Sequence, residues 1–278
     1  YLKCKNDVGL MISKLIELFK KEEPDLVLVF GDTHSSTAGA LAAAYCKIKV
    51  AHVEAGLRSN RLTMPEEVNR RVIDSISTVF FCPNVQAELN LLREGKKDNV
   101  FVVGDPMFDA LLRIIPIKRG KEYKKNILIT LHRDFNVDNK EFLQGFFETC
   151  GQTNEHFIFP VHPRTKKMIK EFKIEVPLNV KLIKPQSYKK MLSLISDAKK
   201  VITDSGGVQR EAYWMNVPVI IMRDETEWTE IISKKSGVLV GHDWDKLKNA
   251  IETFKGMTWG PPVGGVNKKI KEILYKYV

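Results

Sequence analysis

Three carboxylates stand at turning points in the first third of the chain. Asp32 follows the apolar run Leu26-Val27-Leu28-Val29-Phe30 and Gly31, Glu54 follows His52-Val53, and Glu66 follows Met64-Pro65. Acids grouped in this way can give and take protons if their setting tunes their acidity to the task. Each also has a plainer use. Asp32 can cap the next helix, although Thr33-His34-Ser35-Ser36 already offers hydroxyls for that purpose. Glu66 sits in a helix first turn, where a carboxylate favours the helix dipole. Glu54 ends a buried strand and precedes Ala55-Gly56. A poorly solvated carboxylate there needs a partner, and Arg58 is the nearest in sequence.

The second half repeats the pattern of apolar runs ending in polar residues. Leu131 leads to His132-Arg133, Val161 to His162-Pro163-Arg164, Thr203 to Asp204-Ser205-Gly206-Gly207, and Met222 to Arg223. Ser205-Gly206-Gly207 joins a strand to a helix. Two glycines let an anion approach the free N–H groups of the first turn, and the dipole favours negative charge. Glu211, one turn further, can accept from ribose hydroxyls. The same residues can also form a tight βα turn without a ligand. His162 can equally orient a loop, and His34 and His52 can serve a site or the packing. His156 and His242 read as surface or turn residues. No HxH or HExxH pair and no Cys/His cluster is present, so no bound metal is expected. There is no GxSxG elbow and no GxxxxGK[ST] phosphate loop.

The elements that must hold these residues alternate. A helix over 8–21 precedes strands at 26–30, 50–53, 78–82 and 100–103, with helices between them and one more over 108–114. After the basic, turn-rich stretch from Pro116 to Asn126, alternation restarts. Strands are predicted at 127–131, 156–159, 180–183, 200–203, 217–222 and 237–240, again separated by helices, with a last amphipathic helix over 266–277. Fully apolar strands alternating with helices imply open parallel sheets covered on both faces. Ligands bind such folds at the carboxyl ends of the strands. The expected organisation is a first Rossmann-like domain over 1–115, joined by the terminal helix 266–278, and a second over 116–265. A domain of this kind normally opens on a strand, whereas this chain enters a helix almost at once. The first strand is therefore expected to be missing.

The chain has 278 residues, 44% of them hydrophobic and 28% charged, which is a globular composition. Its net charge of +10 comes from lysines scattered along helices and turns, not interleaved with aromatics. That pattern fits a solvated surface better than a nucleic-acid face. Cys4, Cys46, Cys82 and Cys150 show no ligand spacing and read as free buried thiols of a reducing compartment. No apolar run is long enough to span a bilayer, and no signal peptide is visible.

Taken in order, the runs GDTHSS at Gly31, HVEAGLRS at His52, MPEEVNRR at Met64, LHR at Leu131, HPR at His162, TDSGGVQREA at Thr203 and RDETEW at Arg223 resemble the non-hydrolysing UDP-N-acetylglucosamine 2-epimerases. They span nearly the whole chain, and only together are they specific. The resemblance implies an α/β fold of two Rossmann-like domains (GT-B type) with the active site in the cleft between them. It implies interconversion of UDP-N-acetylglucosamine and UDP-N-acetylmannosamine by elimination and re-addition of UDP through a 2-acetamidoglucal. Asp32, Glu54, Glu66 and His132 match the catalytic positions. Ser205, Gly206, Gly207 and Glu211 match the diphosphate and ribose contacts, and Arg58, Arg133, His162, Arg164 and Arg223 complete the expected substrate-binding set. No nicotinamide or metal is demanded, and a cytoplasmic homodimer is expected. A hydrolysing 2-epimerase, a glycosyltransferase of the same fold and a silent UDP-sugar binder remain the alternatives. The chain departs from the family in four places. The opening Gly-Thr-Arg-Pro-Glu run is absent, Phe135 stands where Glu is usual after His132-Arg133-Asp134, Gly104-Asp105 replaces Gly-Asn, and Val263-Gly264-Gly265 replaces the late Gly-Asp-Gly turn before the last helix.

Overall fold

Runs of β-branched and aromatic residues too short for a helix form parallel strands, and the longer amphipathic runs between them fold back as helices. The computed structural model describes residues 7–59, 61–115, 126–257 and 264–278. In chain order the elements are α1 (Val8–Glu22), β1 (Leu26–Phe30), α2 (His34–Tyr45), β2 (Lys49–Val53), α3 (Pro65–Ile76), β3 (Val79–Cys82), α4 (Val85–Arg93), β4 (Val100–Val102) and α5 (Pro106–Ile114). Then follow β5 (Asn126–Thr130), α6 (Asp134–Val137), α7 (Lys140–Gly151), β6 (His156–Pro160), α8 (Pro163–Glu171), β7 (Val180–Ile183), α9 (Tyr188–Ser196), β8 (Lys200–Thr203), α10 (Gly206–Trp214), β9 (Val219–Ile221), α11 (Thr229–Ser233), β10 (Gly237–Leu239), α12 (Trp244–Thr253) and α13 (Val266–Leu274). The chain divides into two units, Tyr1–Asp109 with Val263–Val278, and Ala110–Pro262.

The first unit holds a parallel sheet in the order β1-β2-β3-β4. On one face Val29 and Val50 pack against Ala40 and Ala43 of α2 and Ile73 of α3. The alanines let α2 lie close to the strands. On the other face Ala51, Val53, Val79 and Phe81 pack against Val266 and Ile270 of α13. Gly265 gives α13 no capping side chain. Asp109 takes that place, with Oδ1 accepting from Gly265 N at 2.7 Å and Oδ2 from Asn267 N at 2.9 Å.

The second unit holds a six-stranded parallel sheet in the order β10-β9-β8-β5-β6-β7. Phe142, Phe146 and Phe147 of α7 and Phe157 and Phe159 of β6 dominate its core. The chain runs outward from β5 through β6 to β7, then returns to β8 on the other side of β5. The strand order therefore reverses between β5 and β8, and the crevice at their carboxyl ends is where a doubly wound sheet binds ligands.

The expected strands appear within two residues of their predicted ends. Two short helices, α6 and α11, were not anticipated, because each is too short to show a helical period. Of the expected linker, residues 116–125 lie outside the described residues and Asn126 begins β5. Cys82 and Cys150 are buried free thiols and Cys46 is only partly buried, while Cys4 lies outside the described residues. Burial pushes the Cys82 thiol up to about 12 and the Cys150 thiol higher still, so neither is a nucleophile near neutrality. Among the described residues no helix is long and apolar enough to cross a membrane.

Gly56 shows how tightly the β2–α3 loop is set. Its φ is +80°, and a Cβ there would lie 2.2 Å from the carbonyl oxygen of Ala87. Gly56→Ala is expected to cost at least about 2 kcal/mol, because neither the dihedral nor the α4 backbone can yield cheaply. Urea unfolding of the two proteins side by side checks this.

Candidate active site

The acidic mouth of the first unit forms where β1 and β2 end. Thr33, not Asp32, caps α2, its Oγ1 accepting from Ser36 N at 3.2 Å. The capping role considered for Asp32 is thereby excluded. Asp32 Oδ2 instead lies 2.5 Å from Arg70 Nη2, and the Asp32 carbonyl accepts from Asn69 Nδ2 at 2.8 Å. Burial raises the Asp32 pKa above the ordinary carboxylate value. The adjacent Arg70 opposes the rise, while the charges of Glu54 and Glu66 add to it. Both of the other expected acids are thus close enough for Asp32 to sense their charge.

Glu54 has a left-handed backbone at φ +74°, a conformation few residues other than glycine adopt. The carbonyl of Phe81 accepts from both Glu54 N and Ala55 N, at 3.1 and 3.2 Å, and holds the turn. The twist brings the carboxylate back beside β1, so that a Cβ on Gly31 would lie 3.4 Å from Glu54 Oε2. Glu66 lies in the first turn of α3, as expected, and is half-buried.

Arg58 does not partner Glu54. Its Nη1 donates to Asp74 Oδ2 at 2.8 Å and to the Leu57 carbonyl at 2.7 Å, and its Nε and Nη2 grip Glu94 at 2.8 and 2.6 Å. Four of five guanidinium N–H groups are spent inside the unit, so the role expected for Arg58 as a substrate contact gives way to a structural one. Asp74 also accepts from Gly56 N at 3.1 Å and lies 2.6 Å from His52 Nδ1, and His52 Nε2 lies 3.0 Å from the Gly31 carbonyl. Burial would raise the Asp74 pKa, but His52 and Arg58 outweigh it and hold the group below its ordinary value. His52 therefore links the turns that carry Asp32 and Glu54. Glu67, fully buried beside Glu66, accepts from Ser59 N at 2.8 Å and Arg71 Nε at 2.9 Å and pins the same loop to α3.

In the second unit the expected residues gather at the β5/β8 switch. Asp204, fully buried, accepts from His132 N, Arg133 N and Asn136 Nδ2. The His132 ring lies with its centroid 6.1 Å from that of His162. Burial lowers the His132 pKa below its ordinary value. Asp204 works against the shift, and Arg133 and His162 reinforce it. His162 caps α8, its Nδ1 accepting from Arg164 N at 3.3 Å. The exposed Arg164 side chain pairs with Asp138, Nε donating to Oδ1 at 2.9 Å. Ser205 caps α10, so Gly206 and Gly207 form the first turn, whose N–H groups have no intrahelical partners. Glu211 is buried in the next turn, and Arg223 is buried with its Nη1 3.0 Å from Glu227 Oε2.

The two glycines differ. A Cβ on Gly206 would meet Glu227 Oε1 at 2.8 Å and Trp228 Nε1 at 3.3 Å, whereas on Gly207 the nearest atom is Ser205 Oγ at 3.9 Å. Gly206 is required by the loop after β9. Gly207 leaves space that nothing in the unit fills. Asp204, Asn136, Asn69, Arg70 and Asp74 were missed as organisers of the site. Asp204, Asn69 and Arg70 stood inside the motif runs, but the partners through which they organise the site lie on other elements, His132 and Asn136 for Asp204 and Asp32 for Asn69 and Arg70, and leave no local spacing to read. Among the described residues no three His, Cys, Asp or Glu side chains are grouped to hold a metal ion.

Residues 3–260 match the family described as UDP-N-acetylglucosamine 2-epimerase. The chain belongs to this family. A UDP-N-acetylglucosamine 2-epimerase homolog of Methanococcus maripaludis is 42% identical over 95% of this chain and 78% of its own length. The crystal structure of Methanocaldococcus jannaschii UDP-GlcNAc 2-epimerase in complex with UDP-GlcNAc and UDP superposes with a TM-score of 0.87 at 41% identity, covering 97% of this chain and 80% of that one. A UDP-2,3-diacetamido-2,3-dideoxy-D-glucuronate 2-epimerase of Pseudomonas aeruginosa is 38% identical over 90% of this chain and 73% of its own length. The two α/β units of this epimerase-family chain accord with the GT-B type fold of these relatives.

Two predictions follow from the geometry of the site. Glu54→Gln removes a negative neighbour, so Asp32 should titrate at lower pH than in the parent, as read by carbon NMR of the labelled carboxyl groups. Gly207→Ala should fold at least as stably as the parent, since an added methyl meets no clash and alanine is the better helix residue. The methyl should nevertheless hinder the approach of an anion to the α10 N–H groups, and pyrophosphate affinity read by calorimetry should fall tenfold or more, on the order of 1.4 kcal/mol.

Proposed function

We propose that this protein is a non-hydrolysing UDP-N-acetylglucosamine 2-epimerase. The observation that carries the reading is the acidic mouth of the first unit, where Asp32 is kept from capping α2 and its acidity is shifted by burial, Glu54 and Glu66. A second unit with a glycine-bearing helix start at its topological switch supplies the complementary requirement, a seat for a nucleoside diphosphate.

In this reading a carboxylate takes the proton from C2 of the sugar. The electrons of the C–H bond form the C1–C2 double bond, and the C1–O bond breaks with its pair leaving on the UDP oxygen. A proton then returns to the opposite face of C2, and UDP adds back at C1. Two faces call for two acid/base groups, and the carboxyls of Asp32, Glu54 and Glu66 offer them in different settings. Arg133 and the α10 N–H groups act on the charge of the departing UDP, and His132, neutral near physiological pH because its pKa is lowered, stands beside them as a proton acceptor. Glu211 accepts from the ribose. His162 and Arg223 remain in the proposed substrate-binding set, and Arg164 enters it only by leaving Asp138. Epimerisation without hydrolysis is supported by the runs at His52 and Met64.

Proton NMR of UDP-N-acetylglucosamine in heavy water tests this. Deuterium at C2 together with a new manno anomeric signal is expected. Steady release of free UDP and N-acetylmannosamine would make the enzyme hydrolysing, and an unchanged spectrum despite UDP binding would make it a binder without turnover. Asp32→Asn should lower kcat at least 100-fold, about 2.7 kcal/mol of barrier, without abolishing UDP binding.

A further inference from the structure

A histidine at a reaction centre has two ring nitrogens. The hydrogen bond made by one decides what the other offers. At the β5/β8 switch the acceptor within reach of one His132 ring nitrogen is the Asp204 carboxylate. Its Oδ2 accepts from Arg133 N at 3.0 Å, Asn136 Nδ2 at 3.1 Å and His132 N at 3.1 Å. Its Oδ1 lies 3.2 Å from His132 N and 3.3 Å from His132 Nδ1. Every other group on this carboxylate is an N–H donor. A ring nitrogen set against such an acceptor is best satisfied when it carries the proton, which leaves the far nitrogen with its lone pair.

The carboxylate cannot readily turn away. It is fully buried, and Asn136, which holds it from behind, is anchored twice more. Asn136 Nδ2 also donates to the Met222 carbonyl at 3.1 Å, and Asn136 Oδ1 lies 3.0 Å from His242 Nε2. The His242 ring in turn packs on Phe142, with centroids 4.7 Å apart. His242 is therefore the last link of a chain running through Asn136 and Asp204 to His132, all within the second unit.

We propose that Asp204 is a positioning residue that fixes His132 in the Nδ1–H tautomer and so leaves Nε2 as the unprotonated nitrogen. This builds on the epimerase reading for the purpose of the tautomer, but the tautomer itself can be measured without any substrate. A purely structural Asp204 would tie the β5 and β8 turns together and leave the His132 proton where the ring alone prefers it.

Asp204→Asn separates the two roles. The asparagine oxygen can take the place of Oδ2 and keep the three N–H donors. Its amide then stands at the Oδ1 position and donates to Nδ1, which drives the His132 proton to Nε2. The measurement is the nitrogen NMR spectrum of ring-labelled histidine near pH 8, with the His132 signals assigned by their loss in His132→Gln. The parent should show a protonated Nδ1 and a lone-pair Nε2, and Asp204→Asn the reverse. In turnover of UDP-N-acetylglucosamine, Asp204→Asn should lower kcat by more than about tenfold with KM within about threefold, the pattern of a group lost from the transition state alone. A parent spectrum with the proton on Nε2 overturns the proposal, even if the variant proves unstable. An unchanged tautomer in a folded Asp204→Asn overturns it as well. The expected spectra in a protein that leaves UDP-N-acetylglucosamine untouched would uphold the tautomer and remove the epimerase reading instead.

Discussion

At the carboxyl ends of β5 and β8 the chain turns two different ways, and the buried carboxylate of Asp204 holds the two turns together. It gathers the amides of His132 and Arg133 on one side and stands immediately before the Ser205 cap of α10 on the other. A parallel sheet brings strand ends to one edge but does not by itself fix the loops that leave it. Those loops carry polar backbone groups that must be satisfied once buried. One carboxylate accepting three N–H groups does this in a small volume and orients the residues it binds. The residues with chemistry to do are therefore placed by a residue that need not touch the ligand.

The first unit solves the same problem differently. Asp74 gathers Gly56 N, Arg58 and His52, and His52 reaches on to the Gly31 carbonyl. Burying several charged groups is costly, and a pair of this kind often contributes little net stability against a well-packed apolar substitute. Its value is then best sought in geometry, because it ties the Gly31–Asp32 turn and the Glu54–Gly56 turn to α3. The arrangement also has an acid limit. The Asp74 pKa is depressed in the folded protein, so its contribution is present above the unfolded carboxylate value near 3.9 and is lost as pH falls toward and through the lower folded value.

Much of this was legible in the sequence, and what was not has a common cause. Apolar runs ending in Gly31-Asp32, Val53-Glu54, Leu131-His132 and Thr203-Asp204 announced buried parallel strands, and the rule that ligands meet strand ends led to the acids and the glycines. Burial and period are local properties. Partnership is not. Arg58 looked like the natural mate of Glu54 four residues away, yet its mates are Asp74 and Glu94, 16 and 36 residues on. His242 read as a turn residue, and nothing near it in sequence hints at Asn136, 106 residues earlier. The helices α6 and α11 escaped notice because four or five residues cannot display an amphipathic period.

Glu54 marks the point where positioning takes precedence over comfort. A left-handed non-glycine residue costs on the order of 1–3 kcal/mol, and such residues persist only where their surroundings over-determine them. Here Phe81 O receives both Glu54 N and Ala55 N, and Gly56 follows with its own left-handed dihedral and the Ala87 carbonyl close against it. An extended residue at position 54 would continue the line of β2 and carry its side chain away from β1. The left-handed turn folds the carboxylate back beside Gly31, where its charge adds to burial in raising the pKa of Asp32, the direction that lets a carboxyl hold a proton as well as release one. Strain at Glu54 and the altered acidity of Asp32 are then two consequences of one placement, and a fold that relieved the first would forfeit the second.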